Sequence, residues 1–338
     1  MKIGNWDLDQ EILIVAEIGN NHEGSYALAE EMIGLAAQAG VGAIKFQSII
    51  PERLVSPIQV ERIEQLKKFQ LSYEEYEKLN KVAQKEGVLF LSTPFDIETV
   101  HFLNNLVPAF KIASGDNNFF PLIEVIAQTG KPIILSTGLA DLQEITATID
   151  FIQNTWARHG AIPELALLHC IAAYPVPPSD ANLLAIQTLR QQFDMTVGYS
   201  DHTVGIDAAV TAVALGARIV EKHFTIDKEY SSFGDHKLSA NPQDMAELVR
   251  RINLTVQLLG NGEKRAQESE QIPATAIRRA IAASQDLPEG TILKMEHLTW
   301  LRPGGGLVPG QEQKLIGKKL IRSVEMGNRI LLEDVIEE

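Results

Sequence analysis

The stretch RIVEKHFT, residues 218–225, opens as a buried strand should, with Ile219 and Val220. It then places Glu221, Lys222 and His223 in a row before Phe224. A strand buried on both faces has no use for three adjacent ionisable groups, since each costs several kcal/mol or so to bury without a partner. The same design recurs through the chain. Apolar runs end near ILIVAE (12–17), GAIKFQ (42–47), VLFLST (88–93), AFKIAS (109–114), PIILST (132–137), LALLHC (165–170) and MTVGYS (195–200). Between them lie segments with helical spacing, such as YALAEEMIGLAAQAG, YEEYEKLNKVAQKEG, LQEITATIDFIQNTWARHG and GIDAAVTAVALGA. Glycines at 40, 87, 130, 160 and 216 stand where a helix should stop before the next strand. Eight strand–helix alternations in about 260 residues predict an α/β fold, a closed (β/α)₈ TIM barrel. An open doubly wound sheet would carry a glycine-rich phosphate turn after its first strand, and EIGNNHEG is not one.

In such a barrel the C-terminal strand ends converge on the active site. Each run ends in polar chemistry: Glu17; Lys45 and Gln47; Ser92 and Thr93; Lys111 and Ser114; Ser136 and Thr137; His169; Ser200 and His202; Glu221 and His223. Strands alternate faces, so Lys45 shares a face with Gln47, and Glu221 with His223. His202 and His223 end neighbouring strands, and two imidazoles there can share a divalent ion such as Mn²⁺, Fe²⁺, Co²⁺ or Zn²⁺. From spacing alone, two hydrogen-bonded loop histidines fit equally well. His22 and His236 are weaker candidates. Lys45 and Lys111, with the hydroxyls of Thr93, Ser114 and Ser136, suit a phosphate and a carboxylate. The competing readings are lysines that reach solvent or pair with Glu17, or one Schiff-base lysine. The sequence neighbours Ser200, Asp201 and His202 do not make a hydrolase triad, whose members meet in space. Cys170 reads as a packed small residue. Residues 48–71 form a long loop after the second strand, a candidate lid.

The chain has 338 residues, 45% of them apolar, and a formal charge of −14. That charge argues against nucleic acid and anionic lipid as partners. No run is long enough to cross a bilayer, and MKIGNWDLDQE lacks a signal-peptide apolar segment. One cysteine excludes a disulfide framework and makes a cytoplasmic setting the default. The expected organisation is a barrel over residues 1–262, a polar linker over 263–277 and a small domain over 278–338. In the last, LPEGTILKMEHL (287–298) and VEMGNRILLEDV (324–335) look like two copies of one unit. The loop RPGGG (302–306) lacks the GK[ST] ending of a phosphate-binding loop.

The motifs AEIGNNHEGS, AIKFQS, FLSTPFD, FKIASGD, PIILSTG, LLHC, YPVP, GYSDHT and VEKHFT, in that order, resemble the sialic acid (nonulosonate) synthases. The terminal region, with WLRPGGG, resembles their antifreeze-like (SAF, β-clip) domain. The resemblance implies condensation of phosphoenolpyruvate with an N-acylated mannosamine-like sugar, giving a nine-carbon 2-keto acid and phosphate by C–O cleavage, as in N-acetylneuraminate synthase. It implies Mn²⁺, or else Mg²⁺ or Co²⁺, on His202 and His223. It implies phosphoenolpyruvate contacts from Lys45, Thr93, Lys111, Ser114, Ser136 and Ser200. Sugar contacts would come from Glu17, Gln47, Asp116, Tyr174 and Asp235, with Glu17 transferring a proton. Arg302 would reach the N-acyl group across a domain-swapped homodimer. The chain departs from the pattern in three places. Ile171, Ala172 and Ala173 replace a commonly polar stretch, which removes one hydrogen bond to phosphoenolpyruvate. Asp116 stands where Glu is frequent. SSFGDHKLS replaces a more usual GPD lead-in to Asp235. A synthase acting on a phosphorylated pentose or tetrose, and a non-catalytic carbohydrate-binding relative, are the alternatives; the charged Lys294, Glu296 and His297 argue against ice binding.

Overall fold

The computed structural model describes residues 1–161, 163–270 and 276–337. Residues 271–275 of the expected linker, and residue 338, lie outside these. The chain divides into two compact units, Met1–Gly260 and Asn261–Glu338.

The first unit is an eight-stranded parallel barrel. Its strands are β1 (Leu13–Gly19), β2 (Ala43–Ser48), β3 (Leu89–Pro94), β4 (Phe110–Ile112), β5 (Ile133–Ser136), β6 (Leu165–Cys170), β7 (Thr196–Asp201) and β8 (Ile219–His223). Successive strands pair from β1 to β3 and from β4 to β8, β8 pairs with β1, and β3 and β4, which share no ladder, come side by side to close the ring. Outside run α1 (Tyr26–Gln38), α2 (Tyr73–Glu86), α3 (Ile97–Leu103), α4 (Phe120–Gln128), α5 (Leu142–His159), α6 (Ala185–Gln192), α7 (Asp207–Ala214) and α8 (Pro242–Leu259). Local chemistry sets their limits. Ser72 and Asp141 cap α2 and α5, and Glu75 and Glu144 bond back to the capping residues' N–H groups. Gly87 and Gly160 close the same two helices at φ 77° and 65°, a region costly for residues with a Cβ.

The period-two alternation sorts every strand. Outward side chains such as Ile14, Ile44, Phe46, Phe90, Leu135, Leu167, Val197 and Val220 pack under the helices. Inward side chains low in the barrel, among them Val15, Ala43, Leu91, Ala109, Ile134, Leu168 and Ile219, make a separate apolar layer. That layer is full: a Cβ on Gly198 would lie 2.5 Å from Leu168 Cδ2 and from the Ile219 carbonyl oxygen. A short antiparallel hairpin, Lys2–Ile3 with Trp6–Asp7, seals the base by adding Met1, Ile3 and Leu8 to the layer. The inward positions above this floor are polar, so an upper chamber opens at the C-terminal mouth.

Residues 48–71 are not an irregular loop. They hold two short helices, Pro51–Leu54 and Val60–Lys67. Only Ile63 and Leu66 of the second are buried, so little apolar periodicity announces it. The segment rests on the loop after β1, where a Cβ at Gly24 would fall 2.0 Å from the Lys68 carbonyl oxygen.

The second unit has its own core, built on Ile281, Leu293, Leu315, Leu320, Ile330 and neighbours. β9 (Ala280–Ala283) pairs with β10 (Leu298–Leu301), and β11 (Lys319–Leu320) with β12 (Val335–Ile336). The expected duplication is structural. Gly290 and Gly327 both have positive φ, and the 3₁₀ turns Met295–His297 and Leu332–Asp334 each lead into a strand. Leu287 and Val324 bridge the copies by exchanging backbone hydrogen bonds of 2.8 Å.

Candidate active site

Residues of the upper barrel chamber line a cavity of about 320 Å³. Glu17, Lys45, Gln47, Thr93, Lys111, Ser114, Ser136, Tyr174, Ser200, His202 and His223 all reach it. Eleven of the fourteen side chains expected there are thus brought together. Asp116 and Asp235 are half-buried outside the lining, and Arg302 belongs to the second unit. Alternation turns some strand-end polar residues away. Ser92 bonds Ser48 at 2.8 Å, Thr137 Oγ1 donates to the Leu168 carbonyl at 2.9 Å, and His169 Nε2 lies 2.9 Å from the Ala181 carbonyl.

The lysines are not bare cations. Lys45 Nζ lies 2.7 Å from Glu17 Oε2 and 3.6 Å from Glu221 Oε2, and donates to Thr93 Oγ1 at 3.2 Å. Lys111 Nζ donates to Ser136 Oγ at 2.7 Å and lies 3.8 Å from Glu221 Oε1. Ser200 Oγ donates to Glu221 Oε1 at 3.0 Å. The pairing with Glu17 that the sequence left open is therefore realised. Glu221, read from its register with His223 but not assigned to the site, stands between both ammonium groups. Register explains this: Glu17 stands beside Lys45 and His223, and Glu221 beside Ser200. Gln47 Nε2 donates to Glu17 Oε1 at 2.9 Å and is itself held by Asn20 at 3.1 Å, a contact no local signal announced.

The two carboxyls are driven apart. Burial raises Glu17, aided by the nearby Glu221 charge and only partly offset by Lys45. Burial also pushes Glu221 up, but Lys111 and Lys45 outweigh it and hold this carboxyl below its usual value. Environments that separate two carboxyls in this way divide acid from base roles. Burial depresses the Lys111 ammonium, with Glu221 opposing. For Lys45 the two carboxylates overcome burial and raise it.

The His202 and His223 ring centroids are 5.4 Å apart, with the Tyr174 ring 4.2 Å from His202. His202 Nδ1 lies 2.9 Å from the Ile171 carbonyl oxygen. A carbonyl only accepts, so Nδ1 carries the hydrogen and Nε2 keeps its lone pair. Buried His223 Nδ1 has no hydrogen-bond partner, and the nearest carboxylate oxygen, Asp235 Oδ2, is 4.0 Å away. Burial lowers both imidazoles; His223 is driven further down by His202 and Lys45, so it stays neutral. Two neutral imidazoles, one oriented by a carbonyl and one with an orphaned nitrogen, fit a divalent ion with open positions. Among the described residues no group of three or more His, Cys, Asp or Glu is placed to hold a metal. His22 is buried apart, its Nδ1 accepting the Gly24 N–H at 3.1 Å, and His236 is engaged by Thr225 and Glu23.

Residues 32–264 match the NeuB family model, and residues 278–336 match the SAF domain. An uncharacterised protein of Methanocaldococcus jannaschii is 42% identical, over 96% of this chain and 94% of its own length. The N,N'-diacetyllegionaminic acid synthase of Legionella pneumophila is 36% identical, over 95% of this chain and 94% of its own. The solved N-acetylneuraminic acid (sialic acid) synthetase of Leptospira borgpetersenii superposes with a TM-score of 0.76 at 36% identity, covering 81% of this chain and 94% of that one.

Proposed function

The chain belongs to the NeuB family and carries a SAF domain, and from that premise we propose that it is a nonulosonate synthase joining phosphoenolpyruvate to an N-acylated mannosamine-like aldose. One observation carries this reading: a single cavity gathers two lysines, two oppositely shifted carboxyls and two neutral histidines. Lys45 and Lys111, with Thr93, Ser114, Ser136 and Ser200, take the phosphate and carboxylate of phosphoenolpyruvate, whose charge replaces Glu221 as their partner. Gln47, Asp116, Tyr174 and Asp235 face the open-chain sugar. C3 of phosphoenolpyruvate forms the new bond to the aldehyde carbon. Glu17, raised by burial, gives its proton to the aldehyde oxygen as that becomes a hydroxyl. Water adds at C2, phosphate departs with the bridging oxygen, and a 2-keto acid remains.

His202 and His223 would hold the divalent ion, Mn²⁺ in this proposal, with Mg²⁺ or Co²⁺ as substitutes. When bound, it supplies Lewis-acid polarisation of the aldehyde oxygen. A phosphorylated aldose would call for a second cationic cluster, and Lys45 and Lys111 are the only lysine or arginine side chains among the described residues lining the cavity.

The proposed assembly is a domain-swapped homodimer in which Arg302 of the partner subunit grips the N-acyl group. Support comes from apolar side chains left exposed by the loops around the mouth: Ile58 at 87%, Leu139 at 79%, Val204 at 67% and Tyr174 at 56%. Such a rim calls for a cover. A cytoplasmic setting belongs to the proposal, Cys170 being a free buried thiol. Among the described residues, no helix is long and apolar enough to cross a membrane.

The test is phosphate release from phosphoenolpyruvate, with Mn²⁺ and a panel of N-acylhexosamines including N-acetylmannosamine and di-N-acetylated 6-deoxy analogues. Release that depends on one of these sugars is expected. Silence across the panel from folded, metal-supplied protein rejects the proposal.

A further inference from the structure

Glu221-Lys222-His223 on β8 lies beside a second triplet, Ser200-Asp201-His202, at the end of β7. In each, the first and third side chains reach the cavity. The middle ones turn to the helix side. Lys222 and Asp201 are direct register partners; Nζ lies 3.0 Å from Oδ2, and both side chains are fully buried. Lys222 also donates to the Thr203 carbonyl. Asp201 Oδ1 accepts the Thr203 N–H and hydroxyl, each at 2.8 Å. A buried ion pair adds little net stability over an apolar pair of the same size, so its geometry is the better clue to its use. β7 ends at Asp201, which leaves His202 beyond the ladder. The hydrogen bonds of His202 itself, from the Val176 N–H at 3.0 Å, to the Ile171 carbonyl and with Cys170 Sγ at 3.9 Å, run to the end of β6 and the segment after it. Ties toward β8 come from the residues on either side of it, and both are fastened to Lys222.

We propose that Asp201 and Lys222 are positioning residues: an ion pair behind the cavity that fixes the His202–Thr203 turn against β8 and so sets the spacing of His202 and His223. The inference rests on the reading of these two histidines as a metal pair. Neither charged group lines the cavity.

The test compares wild type with D201N/K222M, which removes both charges together and keeps an Asn oxygen for the Thr203 N–H. Val220→Ala, on the same strand and face, serves as the control for simple loosening. Mn²⁺ affinity is read by electron paramagnetic resonance of the free ion, without substrate, and a crystal structure of the double variant reads the turn. The expected result is a folded double variant with Mn²⁺ binding weakened about 10- to 100-fold, a displaced His202–Thr203 turn, and affinity within about twofold of wild type for Val220→Ala. Wild-type affinity and an unmoved turn in the double variant overturn the proposal. If wild type itself binds no divalent ion, the metal reading fails, and the clamp is judged by the turn alone. Should the double variant not fold, Thr203→Val removes one fastening of Asp201; it is expected to weaken Mn²⁺ several-fold, and unchanged binding by that folded variant also refutes the clamp.

Discussion

Glu17 and Glu221 both lie within ion-pairing distance of Lys45, yet burial raises one while two ammonium groups hold down the other. The raised carboxyl is the one that can carry a proton into a condensation. Glu17→Gln keeps a side chain of the same size beside Gln47 and has no proton to deliver. It should lower kcat by about 10²- to 10⁴-fold with modest change in KM; a kcat within a fewfold of wild type would remove Glu17 from proton transfer. His22 gives a separate pH prediction. Burial lowers its imidazole from 6.5 to about 4. In that window the unfolded chain binds a proton that the folded chain refuses, so stability is lost as pH falls from 6.5 toward 4, by up to about 3 kcal/mol. His22→Asn retains an acceptor for the Gly24 N–H. Urea unfolding at pH 7 and pH 4.5 should show the variant losing about 2 kcal/mol less than wild type on acidification; equal losses would contradict the assignment.

The eight strands were legible because each carries two superposed signals: an apolar run, and a polar end whose alternate residues face inward. Their observed limits lie within two residues of the apolar runs. A polar strand end is not by itself a site residue, since Ser92, Thr137 and His169 bond to neighbouring strands and loops and do not line the cavity. Lys222 had no local explanation; its partner Asp201 lies 21 residues away, on the neighbouring strand. The basal hairpin has no signature in the sequence because two-residue strands carry no period, and the Val60–Lys67 helix has little because it buries only Ile63 and Leu66. That helical segment supplies a test of its own. Gly24 has φ 79° and leaves no room for a Cβ beneath the Lys68 carbonyl. Gly24→Ala should destabilise the protein by about 1–3 kcal/mol and speed proteolytic cleavage within residues 48–71. An unaltered cleavage pattern would show that the segment does not depend on this contact.

Two units with separate cores, Met1–Gly260 and Asn261–Glu338, divide the expected chemistry between them. In the proposal the second unit supplies Arg302, and the proposed swap makes a complementation experiment decisive. His202→Ala/His223→Ala and Arg302→Ala proteins, each expected to be impaired, should regain about a quarter of wild-type activity after mixing and subunit exchange. The fraction follows because half the dimers are mixed and each has one intact site. No recovery, with exchange shown by mass spectrometry, would place Arg302 over its own barrel or outside the reaction. Which atoms are joined is the claim on which all of this depends. With [3-¹³C]phosphoenolpyruvate, Mn²⁺ and the accepted N-acyl sugar, the labelled carbon should appear in ¹³C spectra as a ring CH₂ of a nine-carbon product, coupled to the former aldehyde position. A label that remains in phosphoenolpyruvate, or passes only to pyruvate, would contradict the account.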